Sequence, residues 1–277
     1  MSYLPFDPQH RSRPSVSIVL PALDEEANIE RAIAEATAAA ERLFTDHEII
    51  VVDDGSRDRT AQLALVAADR DPRVRVISHR QNQGYGSALR TGFLAGRLDF
   101  VFFTDADLQF DVAEIARLLP FVGLVDVVAG YRLNRQDPPE RRLMATCWNF
   151  LVRVLFHIPV RDINCAFKLF DRRVLREIEI DSDGYLVNTE LIVKLTRSGA
   201  SVIEVGVHHR PRVAGKAHAS SPRGMLKVFS ELLRMHSRLR GLDGDDRLAA
   251  AVRRGREAPG TRDAALHARR RESGGRR

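Results

Sequence analysis

The sequence predicts an α/β fold in which a mostly parallel sheet carries helices on both faces. Three observations lead to this prediction. Short, continuously apolar segments alternate with longer segments of helical periodicity, and polar or acidic turns end most of the apolar segments. The chain, at 277 residues, is also long enough to bury a sizeable core. Continuous apolar strands separated by helices are typical of βαβ units, whose strands are buried on both faces.

The first half of the chain alternates most clearly between the two periodicities. Four apolar or β-branched runs are too short for helices, and the segments between them place apolar residues three and four positions apart. Asp58 is predicted to cap one of the helices. The predicted strands are residues 15–20, 48–52, 73–78 and 99–104, and the predicted helices are residues 24–44, 58–68 and 84–96.

The second half alternates less regularly and contains a polar, proline-containing loop over residues 134–140. The predicted helices are residues 112–119, 141–156, 186–198 and 222–239, and the predicted strands are residues 125–129, 167–170 and 201–207. The helices over 141–156 and 222–239 are amphipathic. Each of them can pack against the domain or lie on a membrane interface, and the pattern leaves both options open.

Composition excludes several classes of protein. Hydrophobic residues make up 44% and charged residues 29% of the chain, which is ordinary for a globular protein. No run approaches the roughly 18 apolar residues of a membrane-spanning helix, and the first 13 residues lack the apolar region of a secretory signal. Two cysteines without a CxxC pair argue against a disulfide scaffold or a zinc finger. We therefore expect a protein of a reducing compartment.

The net charge of +6 is located in the C-terminal tail. Residues 253–277 contain nine arginines and three acidic residues, so the rest of the chain is neutral. We expect a flexible N-terminus over residues 1–13, one ordered domain over 14–242 and a disordered basic tail over 243–277. We expect such a tail to bind anionic lipid rather than nucleic acid. A solvated tail without a specific role is an equal alternative.

Acidic turns follow three of the predicted parallel strands: Asp24-Glu25, Asp53-Asp54 and Asp105-Ala106-Asp107. A single acidic turn is usually a cap, but ligands of open α/β sheets bind beyond the carboxyl ends of the strands. Asp105, Asp107 and Gln109 alternate at period two, so their oxygens are expected on one side. Such oxygens suit Mg²⁺ or Mn²⁺ together with a diphosphate. A zinc site at His208, His209 and His218 is the less favoured alternative.

Six sequence strings carry a resemblance to a known family. They are LPALDEE (20–26), VVDDGS (51–56), DADLQ (105–109), GYR (130–132), RDINCAFKLF (161–170) and GYLVNTE (184–190). With these strings the chain resembles the inverting family 2 glycosyltransferases of the GT-A fold. More narrowly, it is similar to the polyprenyl- and dolichol-phosphate hexosyltransferases, of the dolichol-phosphate mannosyltransferase type, over about residues 15–239.

The resemblance implies roles for individual residues. The nucleotide-sugar site would comprise Pro21, Leu23, Glu25, Val52, Asp54, Ala106, Asp107, Asn188, Arg212 and His218; the metal ligands would be Asp105, Asp107 and Gln109; and the catalytic residues would be Asp107, Arg132 and Glu190. Two positions depart from the family pattern. Leu23 replaces an aromatic residue, and His218 stands where the family has a lysine, with Lys216 two residues earlier.

The chemistry of the acceptor separates two enzymatic hypotheses. A polyprenyl phosphate is already ionised near neutral pH, so it needs cations to position it rather than a strong base. Arg132, Arg135, Arg141 and Arg142 are available for this. The alternative is transfer to a saccharide hydroxyl in cell-surface polysaccharide assembly, which needs a carboxylate base such as Glu190 or Asp162. A third hypothesis, from another class, is a non-catalytic anion-binding protein.

These considerations predict a peripheral enzyme on the cytoplasmic face of a membrane. The donor would be GDP-mannose or a UDP-hexose, with a UDP-N-acetylhexosamine as a further option. The metal would be Mg²⁺ or Mn²⁺. The segments 141–156 and 222–239 would approach the lipid. The sequence makes no prediction about polyprenol length or oligomeric state.

Overall fold

The computed structural model describes residues 13–134, 139–158, 160–211 and 222–240. The predicted N-terminal segment, except for Arg13, and the whole predicted basic tail lie outside these residues. The proposed domain boundaries therefore stay predictions.

Within the described residues, a seven-stranded sheet forms the centre of the fold. Its strands are β1 (Ser15–Ala22), β2 (Asp46–Asp53), β3 (Val74–Ser78), β4 (Phe100–Thr104), β5 (Val127–Leu133), β6 (Phe167–Asp171) and β7 (Val202–His208). The strand order is β3-β2-β1-β4-β6-β5-β7. All neighbouring strands are parallel except that β6 runs antiparallel to β4 and β5. The predicted mostly parallel α/β fold is confirmed.

Helices cover the sheet. They are α1 (Ile29–Leu43), α2 (Thr60–Arg70), α3 (Tyr85–Ala95), α4 (Pro139–Phe156), α5 (Arg172–Arg176), α6 (Val187–Arg197) and α7 (Pro222–Arg240). Every residue of β1 after Ser15 and every residue of β2 after Asp46 is buried. Because successive side chains of a strand point to opposite faces, this unbroken burial means that both faces of these strands are covered.

Three predicted helices differ from the structure. Helix α1 begins at Ile29 rather than at residue 24, because the preceding turn is bonded to the turn after β2: Asp24 N–H donates to Ser56 Oγ and Glu25 N–H to Thr60 Oγ1. Helix α2 begins at Thr60, with Arg59 rather than the predicted Asp58 at the N-cap position, while the side chain of Asp58 accepts the Thr60 N–H at 2.9 Å from one residue further out. The segment predicted as a helix over 112–119 forms two short 3₁₀ helices, and the short helix α5 was not predicted.

The strand directions bring distant turns together at one edge of the sheet. Ala22 at the end of β1 pairs with Asp53 at the end of β2, and Val19 pairs with Phe103 near the end of β4. Since β6 is antiparallel, its first residue, Phe167, lies opposite Thr104. We call this the carboxyl edge: the ends of β1, β2, β3, β4, β5 and β7 and the start of β6. No helix in the described part of the chain is both long and apolar enough to cross a bilayer.

Candidate active site

The turn after β4 forms the centre of the carboxyl edge. Asp107 is buried, and its carboxylate accepts the backbone N–H of Gln109 at 3.1 Å. The Gln109 side chain donates through Nε2 to the Arg210 carbonyl at 3.4 Å, and the Arg210 N–H donates to the Gln109 carbonyl at 2.8 Å. The chain after β7 is thereby bonded directly to the acidic turn. These bonds use the amide nitrogen of Gln109 and its main chain, so its side-chain oxygen is the group suited to a cation.

Asp105 lies in an environment that opposes its ionisation. Burial raises the pKa of this carboxyl to about 7, and the neighbouring charges of Asp107 and Glu25 add to the increase. A hydrogen bond from the Tyr85 hydroxyl, at 2.7 Å, and the charge of Lys168 act in the opposite direction. Several carboxylates therefore repel one another at one buried place, which is an arrangement that a divalent cation relieves.

The turns after β1 and β2 are held by bonds within the chain. Glu25 is buried and accepts the side-chain amide of Asn28 at 2.6 Å. Asp54 is buried and accepts the N–H groups of Gln83 and Gly84, at 2.9 and 2.8 Å. Its Oδ1 also lies 2.7 Å from Nδ1 of His79. The carboxylate of Asp54 thus ties the end of β2 to the loop that leads into α3.

The other residues predicted for the nucleotide lie on the same edge. Pro21 and Val52 are buried register partners on β1 and β2, and Leu23 is half-buried in the turn that follows β1. Ala106 is buried between the two acidic residues of the β4 turn. The sheet brings these four residues near the ends of β1, β2 and β4.

Arg132 forms a nearly buried ion pair with Asp162. Its Nε and one terminal nitrogen each lie 2.7 Å from a different carboxylate oxygen, and the two side chains are only 13% and 8% exposed. Such a bidentate contact fixes the plane of the guanidinium. Nearby, the guanidinium of Arg161 lies 5.2 Å from the ring centre of Tyr131. Both arginines therefore lie where β5 ends and the loop before β6 passes.

Glu190, near the start of α6, holds a loop. Its two carboxylate oxygens accept the N–H groups of Asp181 and Ser182, both at 2.8 Å, and Lys194 lies 2.7 Å away. The side chain of Glu190 is only 2% exposed. Both oxygens of this carboxylate are therefore engaged by donors of the chain itself.

Three residues at this edge were not singled out from the sequence: Lys168, Tyr85 and His79. Lys168 is fully buried in β6, and burial lowers its pKa to about 8. A charge inside the apolar string FKLF was an available signal, because lysine is almost never fully buried without partners. No sequence feature of this kind marks Tyr85 or His79, because each is hydrogen bonded to a residue 20 or more positions away, Asp105 and Asp54 respectively.

Several predicted residues fall in the ranges that the structure does not describe. Arg212, His218, Lys216 and Arg135 lie outside the described residues, as does the side chain of Arg141. Of the histidines considered for zinc, His208 is paired with Glu114 and His209 contacts the ring of Phe110. In the described ranges, no group of three or more His, Cys, Asp or Glu side chains is arranged to hold a metal ion.

The comparison with solved structures identifies the fold. A glucosyl-3-phosphoglycerate synthase from Mycobacterium tuberculosis, crystallised with Mn²⁺, UDP and glucosyl-3-phosphoglycerate, aligns with a TM-score of 0.63. The alignment covers 80% of this chain and 79% of that chain at 22% sequence identity. At this level of identity the likeness shows the fold alone, which is the GT-A fold.

Sequence comparison identifies the family. The model of "Glycosyl transferase family 2" matches residues 17–179. An undecaprenyl-phosphate 4-deoxy-4-formamido-L-arabinose transferase of Pseudomonas fluorescens (strain SBW25) is 35% identical over 225 residues, which are 79% of this chain and 63% of that protein. Glycosyltransferase AglD of Haloferax volcanii is 30% identical over 229 residues, covering 79% of this chain and 36% of that protein. The chain belongs to glycosyltransferase family 2. It spans less than two thirds of the length of these relatives.

Proposed function

We propose that this glycosyltransferase moves a hexose from a nucleotide-sugar to polyprenyl phosphate with inversion and with a divalent metal. One observation carries the proposal. Asp162 and Glu190, the two carboxylates that could act as a base for a sugar hydroxyl, are both engaged by donors of the chain itself. An acceptor that is already an anion needs no such base. The relative from Pseudomonas fluorescens, named for transfer to undecaprenyl phosphate, supports the same acceptor class.

The metal would be held by Asp105, Asp107 and the side-chain oxygen of Gln109. The donor set fits, because these are hard oxygen ligands and because the carboxylates of this turn repel one another without a cation. Mg²⁺ typically takes one or two carboxylates and completes its shell with phosphate oxygens and water, and Mn²⁺ favours the same ligands. When bound, the ion stabilises the charge that develops on the leaving diphosphate.

The remaining residues would bind and orient the two substrates. Pro21, Leu23 and Val52 would contact the nucleotide through apolar surface at the ends of β1 and β2. Glu25 and Asp54 would lie beside them and face the polar edges of the base or ribose. Ala106 would contact the nucleotide. Arg132, held in plane by Asp162, would face the acceptor phosphate, and Asn188 and Glu190 would lie on the sugar side. Arg212 and His218, which lie outside the described residues, would also contact the nucleotide-sugar.

Transfer to lipid is the test of the proposed function. Purified protein is incubated with Mg²⁺ or Mn²⁺, with radiolabelled GDP-mannose, UDP-glucose or UDP-N-acetylglucosamine, and with either polyprenyl phosphate or soluble oligosaccharides. The label is then followed into organic solvent or onto the saccharides. We expect one donor to label the lipid, and only with metal. Label appearing instead on soluble saccharides would favour the hydroxyl acceptor. A thermal-shift panel of the same nucleotides gives an independent reading of the donor, since a ligand raises stability only if it binds the native state.

We further propose that helix α4 contacts the membrane, and that the protein binds the cytoplasmic face of that membrane. Leu143, Cys147, Phe150 and Val154 are exposed at spacings of four, three and four residues, which forms one stripe along the helix. Leu143 and Phe150 are 65% and 60% exposed. Two exposed cations of the helix, Arg142 and Arg153, lie beside the stripe. An apolar stripe beside cations is complementary to an anionic lipid surface.

The opposite side of α4 packs against the core. The helix therefore combines the two roles that its sequence pattern allowed, packing on one side and an exposed apolar surface on the other. Phe156 is buried against His236 of α7, with ring centres 5.3 Å apart, and Trp148 is partly buried against the core. Met144 is instead 49% exposed. On α7, Leu232 and Met235 are buried while Phe229 and Leu233 are exposed. The two helices thus contact each other and each leaves apolar side chains uncovered.

Replacing Leu143 and Phe150 with serine should weaken binding to vesicles that contain anionic lipid by at least about tenfold. Each exposed apolar side chain contributes on the order of 1 kcal/mol when it enters the interface, and about 1.4 kcal/mol corresponds to tenfold. Co-sedimentation with the vesicles measures the effect. Leu65→Ser/Leu94→Ser is the matched control, because these residues are 51% and 74% exposed on α2 and α3. Equal losses in the two double variants would contradict α4 as the membrane surface.

A further inference from the structure

The ammonium group of Lys168 is the origin of a hydrogen-bond chain that the mechanism above does not use. The side chain is completely buried in β6. Its Nζ donates to the carbonyl of Ile163 at 3.0 Å, to the carbonyl of Cys165 and to Oδ1 of Asn188 at 3.1 Å. An ammonium group has three protons and no acceptor, so these contacts use all of its hydrogen-bonding capacity.

The chemistry of lysine sets the donor-to-acceptor direction of this hydrogen-bond chain. Because Nζ can only donate, the side-chain oxygen of Asn188 must face Lys168 and its amide nitrogen must face the other way. Asn188 also acts as a hydrogen-bond donor towards the Tyr85 hydroxyl, because its side chain lowers the pKa of that hydroxyl against the increase that burial and Asp105 cause. With the oxygen of Asn188 facing Lys168, the donor is the amide nitrogen. The hydroxyl therefore accepts from Asn188 and gives its single proton to Oδ1 of Asp105, at 2.7 Å. The chain runs from Lys168 to Asp105 through two side chains.

Backbone contacts hold the middle of this chain in place. The N–H of Gly86, next to Tyr85, donates to the carbonyl of Asp183 at 2.8 Å. A Cβ atom at Gly86 would lie 2.0 Å from the carbonyl oxygen of Ser182, so only glycine permits this approach of α3 to the loop before α6. That loop is the one that Glu190 holds through the N–H groups of Asp181 and Ser182. The start of α3, which carries Tyr85, is therefore docked onto the segment that leads to Asn188.

We propose that Lys168, Asn188 and Tyr85 are positioning residues that hold Asp105 so that its second oxygen, Oδ2, is the one presented to the metal and diphosphate. This inference rests on the proposed function, since it assumes a cation at the β4 turn. It assigns Asn188 a role in addition to the sugar contact: its side chain connects a buried cation to a metal ligand. Outer partners of this kind typically contribute 10- to 100-fold to metal affinity.

Two nearly isosteric variants test the chain without touching a metal ligand. Tyr85→Phe removes one hydroxyl, and Asn188→Leu removes both polar atoms of the amide. Lys168 is left intact, because its loss would leave the buried carbonyls of Ile163 and Cys165 without a partner. Mn²⁺ is titrated into the full chain in the presence of UDP and, separately, of GDP, and unbound Mn²⁺ is followed by its electron paramagnetic resonance signal. We expect each variant to raise the Kd for Mn²⁺ about tenfold or more.

Three comparisons decide the outcome. If the residues act through one chain, the double variant should lose no more affinity than the weaker-binding single variant, whereas additive losses would overturn a shared chain. Tyr131→Phe is the control, because it also removes a single hydroxyl but from a ring near the end of β5, where the guanidinium of Arg161 lies 5.2 Å from the ring centre, and it should keep wild-type affinity for Mn²⁺. Variants that bind Mn²⁺ like the wild type would overturn this inference alone. A wild type that transfers no sugar and binds no Mn²⁺ would overturn the proposed function with it.

Discussion

Replacing Asp105 and Asp107 together with alanine should reduce sugar transfer by at least about 1,000-fold. The two carboxylates supply the charge that would hold the metal, and a Lewis acid contributes several kcal/mol to the stabilisation of a leaving diphosphate. A loss of about 4 kcal/mol corresponds to roughly three factors of ten in rate. Transfer of radiolabel to polyprenyl phosphate under saturating Mn²⁺ measures the effect, and the titration of Mn²⁺ should show binding lost in parallel.

The same variant should fold normally, which separates this prediction from a trivial loss of structure. Burial and the charge of Asp107 already disfavour ionisation of Asp105, so removing both carboxylates relieves repulsion in the protein without metal. Asp99→Asn is a matched control, because Asp99 is exposed and immediately precedes β4, at the opposite end of that strand. Unchanged turnover in the double alanine variant would falsify the metal site, whatever the behaviour of the control.

Arg132→Leu should destabilise the protein by about 3 kcal/mol and also reduce transfer by roughly 100-fold. The first effect arises because the carboxylate of Asp162, only 8% exposed, loses its bidentate partner, and breaking a buried ion pair typically costs 3–5 kcal/mol. The second arises because the acceptor phosphate would lose its oriented cation, at a comparable cost in binding. Chemical denaturation and the lipid-transfer assay measure the two quantities separately.

The double variant Arg132→Leu/Asp162→Leu distinguishes a functional arginine from a purely structural pair. Replacing both members of a buried pair by apolar residues is often neutral for stability, so its unfolding free energy should return to within about 1 kcal/mol of the wild type. Transfer should remain about 100-fold low. Arg73→Leu is the surface control: this arginine is 42% exposed in its ion pairs with Glu41 and Asp71, and its loss should change stability by about 1 kcal/mol at most. Recovery of transfer in the double variant would remove Arg132 from the proposed acceptor site.

The local pattern of the sequence was sufficient for most of the sheet and for its acidic turns. All seven strands lie where apolar or β-branched runs predicted them, within a few residues at each end. The exceptions have physical causes. The start of α1 was predicted five residues early, because Asp24 and Glu25 are bonded to Ser56 and Thr60, which lie more than 30 residues away. No periodicity within the helix itself records such a contact.

Arg132 shows the limit of predicting a site from residue types. Its sequence position suggested a cation for phosphate, and the structure adds the carboxylate of Asp162, 30 residues later, which orients it. Glu190 shows the same limit. Its residue type made it a candidate base, whereas the structure shows that its carboxylate accepts two backbone N–H groups. Both facts depend on which loops the sheet brings together.

The amino-acid sequence by itself determined the elements and the ligand types of this protein: buried strands, the helices between them, and oxygen ligands in turns at the ends of parallel strands. These features follow from side-chain periodicity and chemistry within short windows. The tertiary structure decided the direction of β6, and with it the placement of Lys168 beside Asn188 and the connection through Tyr85 to Asp105. The physical reason is that strand order and direction are set by packing of the whole sheet, so contacts between residues 20 or more positions apart have no local signal.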